Sequence, residues 1–344
     1  MTARTDESLP PPKEILVINV SRIGDTLLTT PVLRALSFAW PRARISFLGH
    51  PKRAEIIHHL PFVSAVGTIT KRRAFWRDRF RGQRWDLALV YGFDRQLVAY
   101  AQRVADRVVA FRQEDLYLND KLYRSVERPP FQTMHAARSP LLLTESIGVA
   151  DAGYRLHYVV APEEQEWARA ALGRVVPVGA RPLIGLQVAS FPTKGYRDWP
   201  VGHFAGLCAR IAERWPRAHF LLLGGKLERP RIDELAARLG ARASSLAGTL
   251  SLRQSAAVMS RLDLYIGVDT GPTHIMGALE PPMVALYHCY SPSRLLAPLE
   301  RPACYIVDHP RAAEGCGPET PMAEIEVDTV WQMVLEALAP HSAG

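Results

Sequence analysis

Short continuous apolar runs set the rhythm of this chain. They occur at 15–19, 45–48, 65–69 and 87–91 in the first half, and at 183–188, 219–223, 264–268 and 283–287 in the second. Each is followed by a polar or glycine-bearing turn and then by a longer stretch with helical spacing. Runs too short for buried helices, alternating with helical segments, predict parallel strands covered on both faces, that is, βαβ units. The chain also repeats itself. WPRARISFLG (40–49) returns as WPRAHFLLLG (215–224), and ILVINV (15–20) has a counterpart in LIGLQV (183–188). In both copies a β-rich run leads through a loop and a helix ending near Trp-Pro to a second β-rich run ending at glycine. The expected architecture is therefore α/β, with two Rossmann-like domains over 1–178 and 179–344, joined by a Pro/Gly-punctuated linker near 174–182. VDTVWQMVLEAL (327–338) predicts a C-terminal amphipathic helix with Asp328 as N-cap, free by sequence to pack on either domain.

Composition narrows the class. With 344 residues, 48% hydrophobic and 22% charged, the chain can bury two cores and is too apolar for intrinsic disorder. No run approaches the roughly 18 apolar residues of a membrane span, and MTARTDESLPPPKE lacks a signal-peptide core, so a cytoplasmic protein is expected. The four cysteines (Cys208, Cys289, Cys304, Cys316) form no C-x-x-C pair and are expected as free thiols. Charge is unevenly divided: residues 1–180 hold 26 Lys and Arg against 18 Asp and Glu, whereas 181–344 hold 16 of each. Much of the excess lies in KRRAFWRDRFRGQR (71–84), which carries Arg72, Arg73, Arg77 and Arg79 among aromatic residues. Such a segment suits a phosphate-bearing partner or an anionic membrane surface; a solvated basic loop is the alternative.

Open parallel sheets bind ligands at the carboxyl ends of their strands, so the loops leaving the strands are where chemistry is expected. SRIGDTLLTTP (21–31) places Asp25 at the mouth of a helix, where a carboxylate could take a proton from a hydroxyl or cap the helix. VASFPTKGYRDWP (188–200) carries Ser190, Thr193, Lys194 and Arg197, hydroxyls and cations suited to a leaving phosphate. GVDTGPTHIMGAL (267–279) sets Asp269, Thr270, Gly271 and His274 at a strand-to-helix turn, where a close backbone and unpaired amides suit a diphosphate. GGKLERP (224–230) lacks P-loop spacing, but Glu228 is placed to accept from ribose hydroxyls.

Together, ILVINVSRIGDTLLTTPVLRAL, YRDWPVGHFAGL, a Gly-Gly-x-x-Glu loop and VDTGPTHIMGALEPPMVALY resemble glycosyltransferase family 9, the ADP-heptose:lipopolysaccharide heptosyltransferases, over about 14–335. The resemblance implies a GT-B architecture, two Rossmann-like domains facing across a cleft, with the acceptor on the first and the nucleotide sugar on the second. It makes Asp25 the general base of an inverting transfer. Asp269, Thr270, Gly271 and His274 become the donor turn, with Ser190 and Thr193 beside it, and Glu228 the ribose contact. Where the family usually has Lys two positions before Trp-Pro, this chain has Arg197, so Lys194 shares or takes over the phosphate contact. Met276-Gly277 and Tyr287-His288 also depart from the family pattern. Expected partners are an ADP-sugar donor and an anionic lipopolysaccharide-type acceptor, with peripheral contact at the inner membrane, no nucleic acid, and no cofactor or metal. The rivals are another nucleotide sugar, an NAD-dependent dehydrogenase, for which G-x-G-x-x-G is missing after both first strands, and a non-enzymatic nucleic-acid-binding protein.

Overall fold

A computed structural model describes residues 10–78, 84–130 and 132–339. The chain divides into two compact units, Met1–Val159 and Val160–Gly344. The first holds strands β1 (Glu14–Asn19), β2 (Arg44–Gly49), β3 (Ala65–Thr68), β4 (Trp85–Tyr91), β5 (Ala105–Phe111) and β6 (Arg124–Val126). The second holds β7 (Leu183–Gln187), β8 (His219–Leu223), β9 (Ala243–Ser245), β10 (Leu264–Val268), β11 (Met283–Tyr287) and β12 (Cys304–Asp308). Sheet orders are β3-β2-β1-β4-β5-β6 and β12-β11-β10-β7-β8-β9, with parallel pairing throughout. Numbered within each unit, both are the 3-2-1-4-5-6 order of a Rossmann fold.

The repeated sequence occupies equivalent places in the two sheets. Trp40 and Trp215 each end the helix before the second strand, Thr30–Ala39 and Val201–Arg214, and each Trp carbonyl accepts the amide three residues on, Ala43 and Ala218, at 2.9 Å. The apolar runs become strands because both faces are covered: every residue of β7, β8, β10 and β11 is buried. One large core in the second unit gathers Ile184, Leu186, Phe204, Phe220, Ile266 and Leu286 with Val330, Val334 and Leu338 of the C-terminal helix.

Three expectations are revised. The helix Pro162–Val175, expected in the first domain, packs against the helix Leu252–Met259 and belongs to the second unit, so the division falls at 159/160 rather than 178/179. The helix Val327–Leu338 packs on the helix Val201–Arg214 and on β11 and β12 of its own unit. Its N-cap is Glu326, while Asp328, two residues further on, forms an ion pair with Arg210. Finally, Cys289 and Cys316 are joined in a disulfide with Cα atoms 5.9 Å apart; Cys208 and Cys304 are free. The two bonded cysteines lie 27 residues apart, a spacing that carries no local signal. Among the described residues, no helix is long and apolar enough to cross a membrane.

Candidate functional site

Strand order reverses between β1 and β4 in the first unit and between β7 and β10 in the second. At such switch points the loops of adjacent strands part and leave a crevice, and the loops carrying the chemistry-bearing residues leave these strands.

In the second unit, the loop after β7 is held firmly. Trp199 is fully buried, and its indole N–H donates to the Ile325 carbonyl at 2.9 Å. The neighbouring Asp198 carboxylate accepts the Ser190 N–H at 2.6 Å, and Ser190 Oγ donates to the Lys194 carbonyl at 2.7 Å. Burial raises the Asp198 pKa, against the Ser190 hydrogen bonds and the charge of Arg231. Ser190, expected at the donor, is thus a buried tie within its own loop. Pinned at both ends, the loop presents Tyr196 and Arg197 on the 3-10 turn Pro192–Arg197. Arg197 Nη1 lies 2.6 Å from Asp269 Oδ2 and donates to the Asp269 backbone carbonyl at 3.2 Å. The directed hydrogen bond goes to the carbonyl, and the carboxylate contact is one of charge, since Oδ2 has no aligned donor. Asp269 is 1% exposed.

The turn after β10 completes this corner. Thr270 is the N-cap of the helix Gly271–Ala278, with extended backbone and no hydrogen bond from its side chain to the first turn. Its hydroxyl lies 3.3 Å from that of Thr273, which donates to the Val268 carbonyl. The hydroxyl pair ties the turn to β10 and leaves the first-turn amides without intrahelical acceptors. His274 Nε2 lies 3.7 Å from Asp269 Oδ1, so Asp269 sits between a guanidinium and an imidazole. Gly277, one of the departures from the family pattern, is where this helix meets Pro298: a Cβ there would lie 2.4 Å from Pro298 Cγ.

The loops after β8 and β11 flank this corner. Glu228 Oε2 accepts the Gly225 N–H at 2.6 Å, closing the Gly-Gly loop; Gly224 takes φ +150 there, which glycine alone adopts freely. After β11, the buried His288 packs edge-on to Tyr196 with centroids 5.0 Å apart, and Tyr290 does so at 5.9 Å. Lys194 Nζ and the Arg197 guanidinium lie 5.6 and 5.4 Å from the Tyr196 ring centroid, within cation–π range. Thr193 is exposed. The structure therefore brings Lys194, Arg197, Asp269, Thr270, Gly271 and His274 to neighbouring strand ends. It adds Tyr196, His288 and Tyr290, which the sequence did not single out as site residues.

His288 reports on this packing. Burial lowers its pKa below the usual 6.5, opposed mainly by its hydrogen bond with the Thr320 carbonyl. Because the unfolded chain binds the proton that the folded one declines, His288 contributes stability above about pH 6.5 that is lost as pH falls through its folded pKa. Lowering pH from 7.5 to 5.5 should thus reduce the melting temperature, and His288→Gln should flatten that dependence in calorimetry. An unchanged slope in the variant would remove His288 from the account.

In the first unit, Asp25 lies in the short helix Ile23–Leu27 just beyond β1 and is exposed. Its carboxylate accepts the Arg22 N–H at a long 3.4 Å, and Asn19 Nδ2 donates to its backbone carbonyl at 3.0 Å. Beside it, at the end of β2, Arg53 Nη1 donates to the Ser21 carbonyl at 2.8 Å. His50 has its pKa lowered by burial and by Arg53 and Lys52. These cations follow β2, the neighbour of β1, a proximity invisible in linear sequence. In the basic segment, Arg72 and Arg73 are exposed. Arg77 is engaged within the fold: its guanidinium donates to the Thr68 carbonyl and lies 3.3 Å from Asp78, which accepts from Tyr100. Arg79 lies outside the described residues.

The glycosyltransferase family 9 (heptosyltransferase) model matches residues 102–322, more than half the chain, and the chain belongs to that family. Lipopolysaccharide heptosyltransferase 1 of Pseudomonas aeruginosa is 26% identical over 298 residues, covering 79% of this chain and 78% of its own. The glycosyltransferase family 9 structure from Veillonella parvula superposes with a TM-score of 0.82 at 19% identity, covering 95% of this chain and 97% of that one. Escherichia coli ADP-heptose lipopolysaccharide heptosyltransferase II gives 0.78 at 20% identity, over 96% and 100%. The fold is α/β with GT-B architecture, and the protein is a glycosyltransferase.

Proposed function

We propose that the protein transfers heptose from ADP-heptose to a hydroxyl of a lipopolysaccharide core sugar, with inversion at the anomeric carbon. The observation that carries the reading is the Arg197–Asp269 corner at the switch point of the second sheet. It sets a cation and a helix N-terminus together, the combination that suits a diphosphate. The heptosyltransferase relatives supply the class of donor and acceptor.

In this reading Asp25 accepts the proton of the acceptor hydroxyl as its oxygen attacks the anomeric carbon. The bond from that carbon to the diphosphate oxygen breaks, and ADP leaves carrying the negative charge. Arg197, Lys194 and the amides following Thr270 meet that charge, and Glu228 Oε1 is left to accept from a ribose hydroxyl while Oε2 closes the loop. With side chains supplying the positive charge, the step is written without a cofactor or metal. The enzyme would act in the cytoplasm, peripherally on the inner membrane, with no nucleic-acid partner. The deciding experiment incubates the enzyme with a panel of ADP- and UDP-sugars and a heptose-deficient lipopolysaccharide acceptor, and measures nucleotide release. Acceptor-dependent release of ADP from ADP-heptose is expected, and release of UDP alone would overturn the donor assignment.

The basic segment gives a separate expectation. Arg72→Gln with Arg73→Gln should raise the KM for acceptor several-fold and leave donor affinity unchanged. The difference should shrink as salt rises, since exposed charges are screened over about 8–10 Å. An acceptor KM that does not move would reduce the segment to a solvated surface.

A further inference from the structure

His288, Cys289 and Cys316 each offer a ligand atom, and the three atoms lie within 4.8 Å of one another. None is needed for the transfer chemistry. We infer that, when the Cys289–Cys316 bond is reduced, these three residues form a binding site for a soft divalent cation of the zinc type.

The donor set is the first support. Two thiolates and an imidazole select zinc-like ions over magnesium or calcium. Geometry is the second. Zinc–sulfur and zinc–nitrogen bonds of about 2.3 and 2.0–2.1 Å at tetrahedral angles place S and N roughly 3.6 Å apart. Cys289 Sγ already lies 3.8 Å from His288 Nδ1. Opening the disulfide allows the two sulfurs to part toward the roughly 3.8 Å edge such a site needs, and a Cα separation of 5.9 Å leaves room for it.

Orientation of the imidazole is the third support. His288 Nε2 pairs with the Thr320 carbonyl at 2.7 Å. A carbonyl only accepts, so that nitrogen carries the proton, and Nδ1, the nitrogen 3.8 Å from Cys289 Sγ, is the one left with a lone pair. A ring N–H held by a backbone carbonyl is the outer-shell arrangement that metal-ligating histidines commonly have. Tyr290 N–H donates to Nδ1 at 3.0 Å and would have to give way. That amide would then need another acceptor; Tyr290 as a whole is 41% exposed. His309, with its ring centroid 5.6 Å from that of His288, turns Nε2 to the Pro321 carbonyl and accepts the Arg311 amide at Nδ1. It is not a ligand in this arrangement, and the fourth position falls to water.

Cys289 is buried and Cys316 half-buried, so a reductant reaches the pair from the Cys316 side. A dithiol reduces it in a two-electron exchange: the S–S bond breaks, two thiols form, and the reductant leaves as its own disulfide. Cation binding then releases the two thiol protons. In a reducing compartment the pair stays as thiols, so the cation-binding form would be the working one there.

The test uses the full chain, reduced with a dithiol, desalted anaerobically and titrated with Zn²⁺ against a chromophoric chelator; Co²⁺ serves as a spectroscopic probe. One equivalent of Zn²⁺ per chain is expected, with a thiolate-to-cobalt charge-transfer band. Cys316→Ser should weaken binding by roughly 100-fold or more, and His288→Gln by at least ~10-fold. Cys304→Ser should leave it unchanged. The oxidised wild-type chain, which needs no substitution, should bind none. The inference is overturned by absence of stoichiometric Zn²⁺ on the reduced chain, by Cys316→Ser binding as tightly as wild type, or by a cobalt complex lacking the thiolate band.

Discussion

Replacing Asp25 by asparagine should lower turnover by ~100-fold or more, the usual worth of a general base, while ADP affinity and melting temperature stay near wild type. The structure makes this substitution informative. Asp25 is exposed, and among the described residues its carboxylate accepts a single hydrogen bond, from the Arg22 N–H at 3.4 Å. An asparagine carbonyl can make that contact equally well, so local capping survives and only the proton-accepting charge is lost. The measurement is steady-state transfer alongside calorimetric ADP binding. Turnover close to wild type would return Asp25 to the role of a helix-capping residue.

The second large effect is expected at Arg197. Its partner Asp269 has a side chain only 2% exposed, so Arg197→Ala leaves a buried carboxylate without its counter-charge. Removing one member of such a pair costs about 3 kcal/mol or more. The same change should weaken ADP binding roughly ten- to a hundred-fold, the worth of a charged hydrogen bond to phosphate. Lys194 separates the two roles. It lies over the Tyr196 ring rather than against Asp269, so Lys194→Ala should weaken ADP without lowering the melting temperature. If Arg197→Ala loses stability but binds ADP normally, then Arg197 is a strut for Asp269, and the phosphate contact passes to Lys194.

How much of this was legible in sequence depended on the range of the interaction. β8, β10 and β11 fall at the residues expected, because a strand buried on both faces reads as a nearly continuous apolar run. Four strands were missed. β5 reads ADRVVAF, with two charges near its start, and follows its helix without a turn residue. β12 is an edge strand and mostly half-buried. β6 and β9 have three residues each, too few for a pattern to emerge. At the site, the residue types at the strand ends could be read locally. The pairing of Arg197 with Asp269 could not, since 72 residues separate them and only the adjacency of β7 and β10 joins them. Likewise Tyr196 gave no signal of its own, being a site residue because His288 and Tyr290 come from the strand end beyond.

The shared strand order has a consequence for how the chain is made. In each unit the first strand synthesised ends at the centre of the sheet, and its second neighbour arrives only with the fourth strand. On the ribosome, β1 must wait with one edge unpaired until Tyr91 has emerged, and β7 until Val268. Parallel pairings of this kind are intrinsically slow to form, and an apolar strand with an open edge is a template for intermolecular association. The first unit, however, is complete at Val159 and can close its sheet before β7 is translated, so the two vulnerable intervals fall one after the other. Near-identical sheet topologies in one chain risk pairing across units, and vectorial synthesis keeps the strands that could mispair apart in time.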